Sequence, residues 1–219
     1  MNRRQMLMGA AGAGVISLVL PATRARSAGT PIHDDDRILG AADAPITLIE
    51  YASLTCPHCA DFHIKDEEAE KSGEKENTGV LGEIKKTWIA DGKVRLVFRH
   101  FPLDGLALRA AAVANCIEGD RYFAFLDILF ENQKQWAASS DPLKVLGQYA
   151  KLAGLSQERF DACVNDQAEM DKILTRAQEG RATYEVRSTP TVIVNDKKFE
   201  GERSFERFES AFRKIVPGA

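Results

Sequence analysis

Two cysteines three positions apart, in Leu54-Thr55-Cys56-Pro57-His58-Cys59, stand where one kind of local structure gives way to another. Before them runs Ile46-Thr47-Leu48-Ile49-Glu50-Tyr51-Ala52, apolar and rich in strand formers. After them Ala60 to Lys65 is polar and compatible with a helix. A pair so spaced at the first turn of a helix can close a small disulfide ring, and the unpaired N–H groups and dipole at that end stabilise a thiolate on the first member. Cys56 is therefore expected to be the low-pKa thiol. His58 adds to this if it donates a hydrogen bond or carries charge.

Other uses of the pair have to be weighed. A Cys-x-x-Cys pair is half of many zinc sites, but these want a second ligand pair at similar spacing, and the remaining cysteines, Cys116 and Cys163, stand alone. A purely structural bridge across two residues removes little chain entropy and stabilises little. Redox chemistry is the best use of the spacing. No metal is expected, and no cofactor beyond the Cys56–Cys59 disulfide itself.

Within a chain of 219 residues the first 28 read as an export signal: Arg3-Arg4, an apolar run from Met6 to Leu20, a helix-breaking Pro21, and small residues at Ala25 and Ala28. That run is short and rich in Gly and Ala for a membrane span. Arg3-Arg4-Gln5-Met6-Leu7 resembles a twin-arginine signal, although Asn2 and Met6 depart from the pattern, so secretory and twin-arginine routes both stay open. Loss of residues 1–28 removes four arginines and no acid, taking the formal charge from −3 to −7. Nothing basic enough for nucleic acid remains. An exported chain with four cysteines can hold disulfides, which the cytosol would reduce.

Pro31 to Ala44 is read as a polar lead-in that leaves little room for an N-terminal dimerisation domain. In the strand that follows, Ile46, Leu48 and Glu50 share a face, which sets a carboxylate among apolar neighbours. Buried there, Glu50 would relay a proton near neutral pH; at a strand end it would simply reach water. Residues 60–90 look helical, interrupted by the charged Lys71 to Thr78, and Gly92 ends a helix. Val94 to Phe101 alternates as a second strand. From Leu106 to Tyr184 the pattern is helical: Leu106 to Ile117, Tyr122 to Trp136, a start at Asp141-Pro142, Ser156 to Cys163, and Asp166 to Tyr184. Cys116 and Cys163 lie in two of these helices. Bridged, they would stabilise by about 4 kcal/mol on the chain-entropy model; unbridged, they would be buried thiols. Thr189-Pro190 then opens a strand to Val194, Asn195-Asp196 turns it into a hairpin, and Ser204 caps a last helix.

Strand, Cys56-Pro57-His58-Cys59, helical interval, and Thr189-Pro190 before a terminal hairpin together resemble a DsbA-type thiol-disulfide oxidoreductase of the thioredoxin superfamily. The resemblance runs from about Asp36 to the C-terminus. Glu50-Tyr51-Ala52-Ser53-Leu54-Thr55 and Phe98-Arg99-His100-Phe101-Pro102-Leu103 are closer to the alphaproteobacterial branch than to the enteric one. The fold implied is α/β, a thioredoxin fold at 36–104 and 185–219 with an inserted helical domain at 105–184. The resemblance makes Glu50 the family's buried acid and Pro190 its cis-proline, with Thr189 beside the disulfide where substrate pairs. It also lets Cys116 and Cys163 match a second disulfide that some members carry. The charged stretch 65–80 departs from the pattern: the connection from Cys59 to Gly92 is about a dozen residues longer than the family usually has, a length that loop closure tolerates.

The activity implied is protein dithiol oxidation in the periplasm. Its substrates would be unfolded exported proteins with cysteine pairs, and its reoxidising partner a DsbB-type membrane quinone oxidoreductase. A disulfide isomerase or reductase of the same fold is the neighbouring alternative. A zinc-holding or peptide-binding module whose cysteines do not turn over is the rival from another class.

Overall fold

The computed structural model describes residues 31–64 and 79–218; the export signal read at 1–28 and the charged residues 65–78 lie outside the described residues. Five described strands form one mixed sheet: β1 (Arg37–Leu39), β2 (Ile46–Ala52), β3 (Val94–His100), β4 (Thr191–Val194) and β5 (Lys197–Lys198), in the order β1-β3-β2-β4-β5. β2 and β3 run parallel, Glu50 opposite Phe98, while β4 lies antiparallel on the other side of β2 with Val192 opposite Glu50. Glu50 thus belongs to the middle of the sheet.

β1 was not legible in the sequence, where Pro31 to Ala44 reads as a polar lead-in. Three residues are too few for alternation to show. What fixes them is long-range: β1 pairs antiparallel with β3, and beside it the guanidinium of Arg99 donates to Asp36 at 2.7 Å.

Both faces of the sheet are covered, which is why β2 and β3 are buried almost throughout. One face packs on α1 (Pro57–His63), on α2 (Val80–Ile84) with the π-helical turn Lys85–Ile89 that continues it, and on α9 (Phe205–Ile215), through Phe62, Trp88, Phe208 and Phe212. The same core continues into α3 (Gly105–Asn115), α4 (Arg121–Glu131), α5 (Gln133–Ala137), α6 (Pro142–Leu152) and α7 (Gln157–Cys163). Ile49, Tyr51, Val97 and Ile193 face the other way, onto α8 (Gln167–Tyr184). That helix spans two layers: Met170 and Ile173 pack on α3, whereas Ala177 packs on the sheet and Gly180 fits under the Tyr51 ring.

The capping residues do what their chemistry predicts. Asp104, Asp141, Ser156 and Asp166 each accept a hydrogen bond from the first turn of the helix they precede. Ser204 precedes α9 but makes no such side-chain bond. Asn195 and Asp196 both take positive φ, 42° and 70°, as a two-residue hairpin turn requires. One expected helix is two: Tyr122 to Trp136 breaks at Asn132, and the change of direction brings Gln133 and Trp136 inside, where the Trp136 indole donates to the Leu129 carbonyl at 2.8 Å. Cys116, at the end of α3, is bonded to Cys163 at the end of α7, with 6.3 Å between their Cα atoms.

Candidate active site

β2 ends at Ala52, and the chain turns through Ser53 to Thr55 before α1 begins with Cys56 as its N-cap and Pro57 at its first position. Proline suits that position, since an N–H there would have no helical acceptor. The turn is held from three sides. Cys56 N–H donates to Ser53 O at 3.1 Å. The Thr55 hydroxyl donates to Asp104, the cap of α3, at 2.6 Å. The buried Gln133 amide, on α5, donates to both Leu54 O and Cys56 O, at 2.9 and 3.0 Å.

Cys56 and Cys59 are both thiols here, and both are buried. Their environments differ. The Cys59 thiol donates a hydrogen bond to Cys56, and this outweighs the burial that would raise Cys56; the Thr189 side chain and the backbone N–H groups of Cys59 and His58 act in the same direction. Cys56 is lowered to about 5 in consequence. Burial pushes Cys59 well above the ordinary thiol range, and its bond to Cys56 and the charge of Glu50 push it further. One sulfur is set to be an anion and its neighbour a thiol.

Across from Cys56 the Thr189–Pro190 peptide is cis, and Cys56 Sγ donates to Thr189 O at 3.4 Å. The Thr189 hydroxyl is buried beside it and has no hydrogen-bond partner among the described residues. Pro190 carries no N–H, so the loop beside the sulfurs presents carbonyl and hydroxyl groups.

Of the residues singled out from sequence, Cys56, Pro57, Cys59, Thr189 and Pro190 are brought together. His58 sits on the outer side: its ring is 81% exposed and its Nδ1 lies 3.6 Å from Asp61. Its backbone N–H, rather than its ring, is what acts on Cys56. Glu50 is fully buried on the α1 side of β2, so it does not reach water. The Cys116–Cys163 bond ties helices α3 and α7 of the helical layer.

Three residues at this site were missed from sequence. His63, at the end of α1, approaches both carboxylate oxygens of Glu50 with Nε2, at 2.9 and 3.0 Å. Burial works to lower its pKa, but the charge of Glu50, the nearby Asp127 carboxylate and the bond to Glu50 prevail, and the net shift is upward. Its spacing was the available signal, since Cys59 and His63 are four apart and share a helix face. Asp127, on α4, lies beyond His63 and chelates Lys85 Nζ at 2.7 and 2.8 Å. Gln133 left no signal, because a glutamine in a helical stretch is usually solvated.

A thioredoxin family model matches residues 33–214. A Rickettsia bellii protein named as a protein-disulfide oxidoreductase is 27% identical over 171 residues, covering 77% of this chain and 60% of the relative; a similarly named Rickettsia conorii protein is 27% identical over 197 residues, covering 90% and 66%. The chain therefore spans about three fifths of the length of the curated relatives it matches. Among solved structures, Wolbachia pipientis alpha-DsbA1 is 32% identical with a TM-score of 0.72, covering 84% of this chain and 92% of that one. Oxidised BdbD of Bacillus subtilis, 22% identical with a TM-score of 0.68 over 87% of this chain and 97% of that one, shares the fold.

Proposed function

The chain belongs to the thioredoxin superfamily, in its DsbA-type branch, and from that premise we propose that it is an extracytoplasmic protein dithiol oxidase. The observation that carries the reading is the opposed setting of two sulfurs in one pair, Cys56 lowered to about 5 and Cys59 raised. A disulfide whose reduced form contains a stabilised thiolate is a strong oxidant, because the electrons end where the anion is comfortable.

A substrate thiolate attacks Cys56 Sγ, the Cys56–Cys59 bond breaks, and Cys59 leaves with the bonding electrons and takes up a proton. The substrate's second thiolate then attacks the substrate sulfur of the mixed disulfide. Cys56 departs as thiolate, the substrate holds a disulfide, and the protein holds a dithiol. Cys56 is the better leaving group in that second step, and at neutral pH a thiol of pKa about 5 is almost wholly ionised.

Substrates are exported polypeptides with unpaired cysteines, lying extended along the Thr189 backbone. Leu103, 54% exposed on the loop whose N–H bonds the Ser53 hydroxyl, offers an apolar contact nearby. Return to the disulfide needs an external oxidant, for which a DsbB-type membrane quinone oxidoreductase is the partner. Residues 1–28 would deliver the protein to the periplasm. Among the described residues no helix is long and apolar enough to cross a membrane.

Equilibration of the purified protein with glutathione buffers tests the reading, alongside oxidation of reduced RNase and refolding of scrambled RNase. An oxidase equilibrates at oxidising glutathione ratios and forms disulfides in reduced RNase. A pair that stays oxidised until conditions are strongly reducing would be a reductase, and activity confined to scrambled RNase would make it an isomerase. A tightly held zinc ion on the pair would end the redox reading.

A further inference from the structure

Dithiol oxidation makes a demand on Cys59 that its position does not meet by itself. The sulfur must gain a proton on leaving the disulfide and lose it when the disulfide re-forms, yet the residue is fully enclosed. The carboxylate whose charge reaches it is Glu50, equally enclosed. A buried acid and a buried thiol can trade a proton between themselves, but neither can obtain one from water.

His63 offers the connection. One ring nitrogen, Nε2, meets the Glu50 carboxylate at 2.9 and 3.0 Å. The other, Nδ1, is buried without a hydrogen-bond partner among the described residues and faces Asp127 Oδ1 at 3.7 Å. Asp127 is 42% exposed. The rings of Phe62, Phe98 and Phe130 enclose the imidazole otherwise. The titratable groups that face it are Glu50 from β2, Asp127 from α4 and, through Asp127, Lys85 from the π-helical turn. An orphaned buried nitrogen aimed at a carboxylate on the water side is costly to keep for packing alone.

We propose that His63 carries protons between Glu50 and Asp127, so that the proton of Cys59 comes and goes through the α1–α4 side of the sheet; the proposal rests on the dithiol-oxidase reading. In the oxidising half-cycle the substrate–Cys56 bond forms, the Cys56–Cys59 bond breaks, and its electron pair goes to Cys59 Sγ. Cys59 takes a proton from Glu50, Nδ1 then takes one from water by way of Asp127, and the doubly protonated ring returns its Nε2 proton to Glu50. His63 ends protonated at Nδ1. In the half-cycle that restores the disulfide, a disulfide or quinone oxidant takes the two electrons. Glu50, left protonated by the first half-cycle, passes its proton to Nε2, Nδ1 releases one to water by way of Asp127, and Glu50 takes the proton of Cys59. The relay runs in opposite directions in the two half-cycles, so each resets the tautomer left by the other and the ring never has to turn. Closing the gap at Nδ1 needs only that Asp127 swing from Lys85 toward the ring. Acceptance of a second proton by the imidazole is favoured by the Glu50 and Asp127 charges that hold its pKa up against burial.

The test is the step in which Cys59 attacks a Cys56–glutathione mixed disulfide, formed from the dithiol protein and glutathione disulfide and followed by acid quench in H2O and D2O across pH. Asp127→Asn and His63→Gln are compared with the unaltered protein. The relay is expected to slow by about 10-fold or more in each, in line with the loss of a proton-transfer group. It should also show a larger solvent isotope effect and a changed pH profile, while the thiolate titration of Cys56 stays where it was. Asp127 lies at the surface, so its variant reports even if the His63 variant does not fold. Rates, profile and isotope effect unchanged in Asp127→Asn overturn the proposal, including the case in which only the His63 variant is slow, because that pattern marks a packing role. Failure of the unaltered protein to form the mixed disulfide at all would overturn the oxidase reading instead, and with it the relay.

Discussion

The side-chain amide of Gln133 donates to the carbonyl oxygen of Cys56 at 3.0 Å, joining α5 of the helical layer to the first turn of α1. The same amide reaches Leu54 O at 2.9 Å, so a single residue spans the turn that presents the reactive sulfur. Gln133→Leu leaves buried acceptors without this donor and is expected to cost about 1–3 kcal/mol. Urea unfolding of the dithiol form reads this directly; a midpoint equal to that of the parent would mean that water replaces the amide at no cost.

The contributions to the low pKa of Cys56 can be ranked. The Cys59 thiol comes first among the stabilising groups, the Thr189 side chain next, and the backbone N–H groups of Cys59 and His58 follow. Cys59→Ala should therefore raise the Cys56 pKa most, Thr189→Val less, and His58→Ala least, since alanine keeps the N–H and the lost ring is exposed. Thiolate absorbance against pH measures all three. A larger shift from His58→Ala than from Thr189→Val would restore the ring to the role its place between the cysteines suggests.

The same shift fixes how stability depends on pH. Cys56 in the folded dithiol has a pKa of about 5 against 9.0 for an ordinary thiol, so the unfolded chain holds its proton over a range in which the folded chain does not. The stabilisation is fully present above the unfolded value and is lost as pH falls through about 5. The dithiol form should gain on the disulfide form by up to about 1.4 kcal/mol per pH unit inside that window. Above it the effect reverses, because Cys59 stays protonated when folded and ionises when unfolded. Paired unfolding curves for the two redox forms from acid to alkaline pH check the sign; a constant difference between them would contradict the thiolate assignment.

Gly180 supports the sheet from behind. A Cβ there would lie 2.5 Å from Tyr51 Cε1, and the Tyr51 ring cannot retreat easily because Arg99 Nη1 donates to its hydroxyl at 3.0 Å. Gly180→Ala is expected to destabilise by about 1–3 kcal/mol through overpacking, despite the better helix propensity of alanine. Thermal unfolding of the variant should show a lower midpoint; a higher one would mean that α8 shifts freely on the sheet.

Much of the frame was readable residue by residue. The alternation of Val94 to Phe101, the capping acid and proline before α6, Ser156 before α7, the Asn195-Asp196 turn and the Cys-Pro-His-Cys junction are patterns within a few residues of one another, and the elements they announce are present. β1 and the break at Asn132 were not readable. The first exists through its pairing with β3, and the second through burial of Trp136 against the core.

The sequence by itself determined where the sulfurs sit, which of them begins a helix, and that a proline follows a threonine near the C-terminal hairpin, because backbone conformation is set mainly by neighbours in the chain. Tertiary structure alone decided what surrounds those sulfurs. Thr189 meets Cys56 across 133 positions, Gln133 across 77, and Glu50 finds His63 only because β2 lies at the centre of the sheet with α1 packed on its face. Proton affinity is a property of that enclosure. It depends on which dipoles and charges the fold carries to a buried atom, and spacing along the chain does not record it.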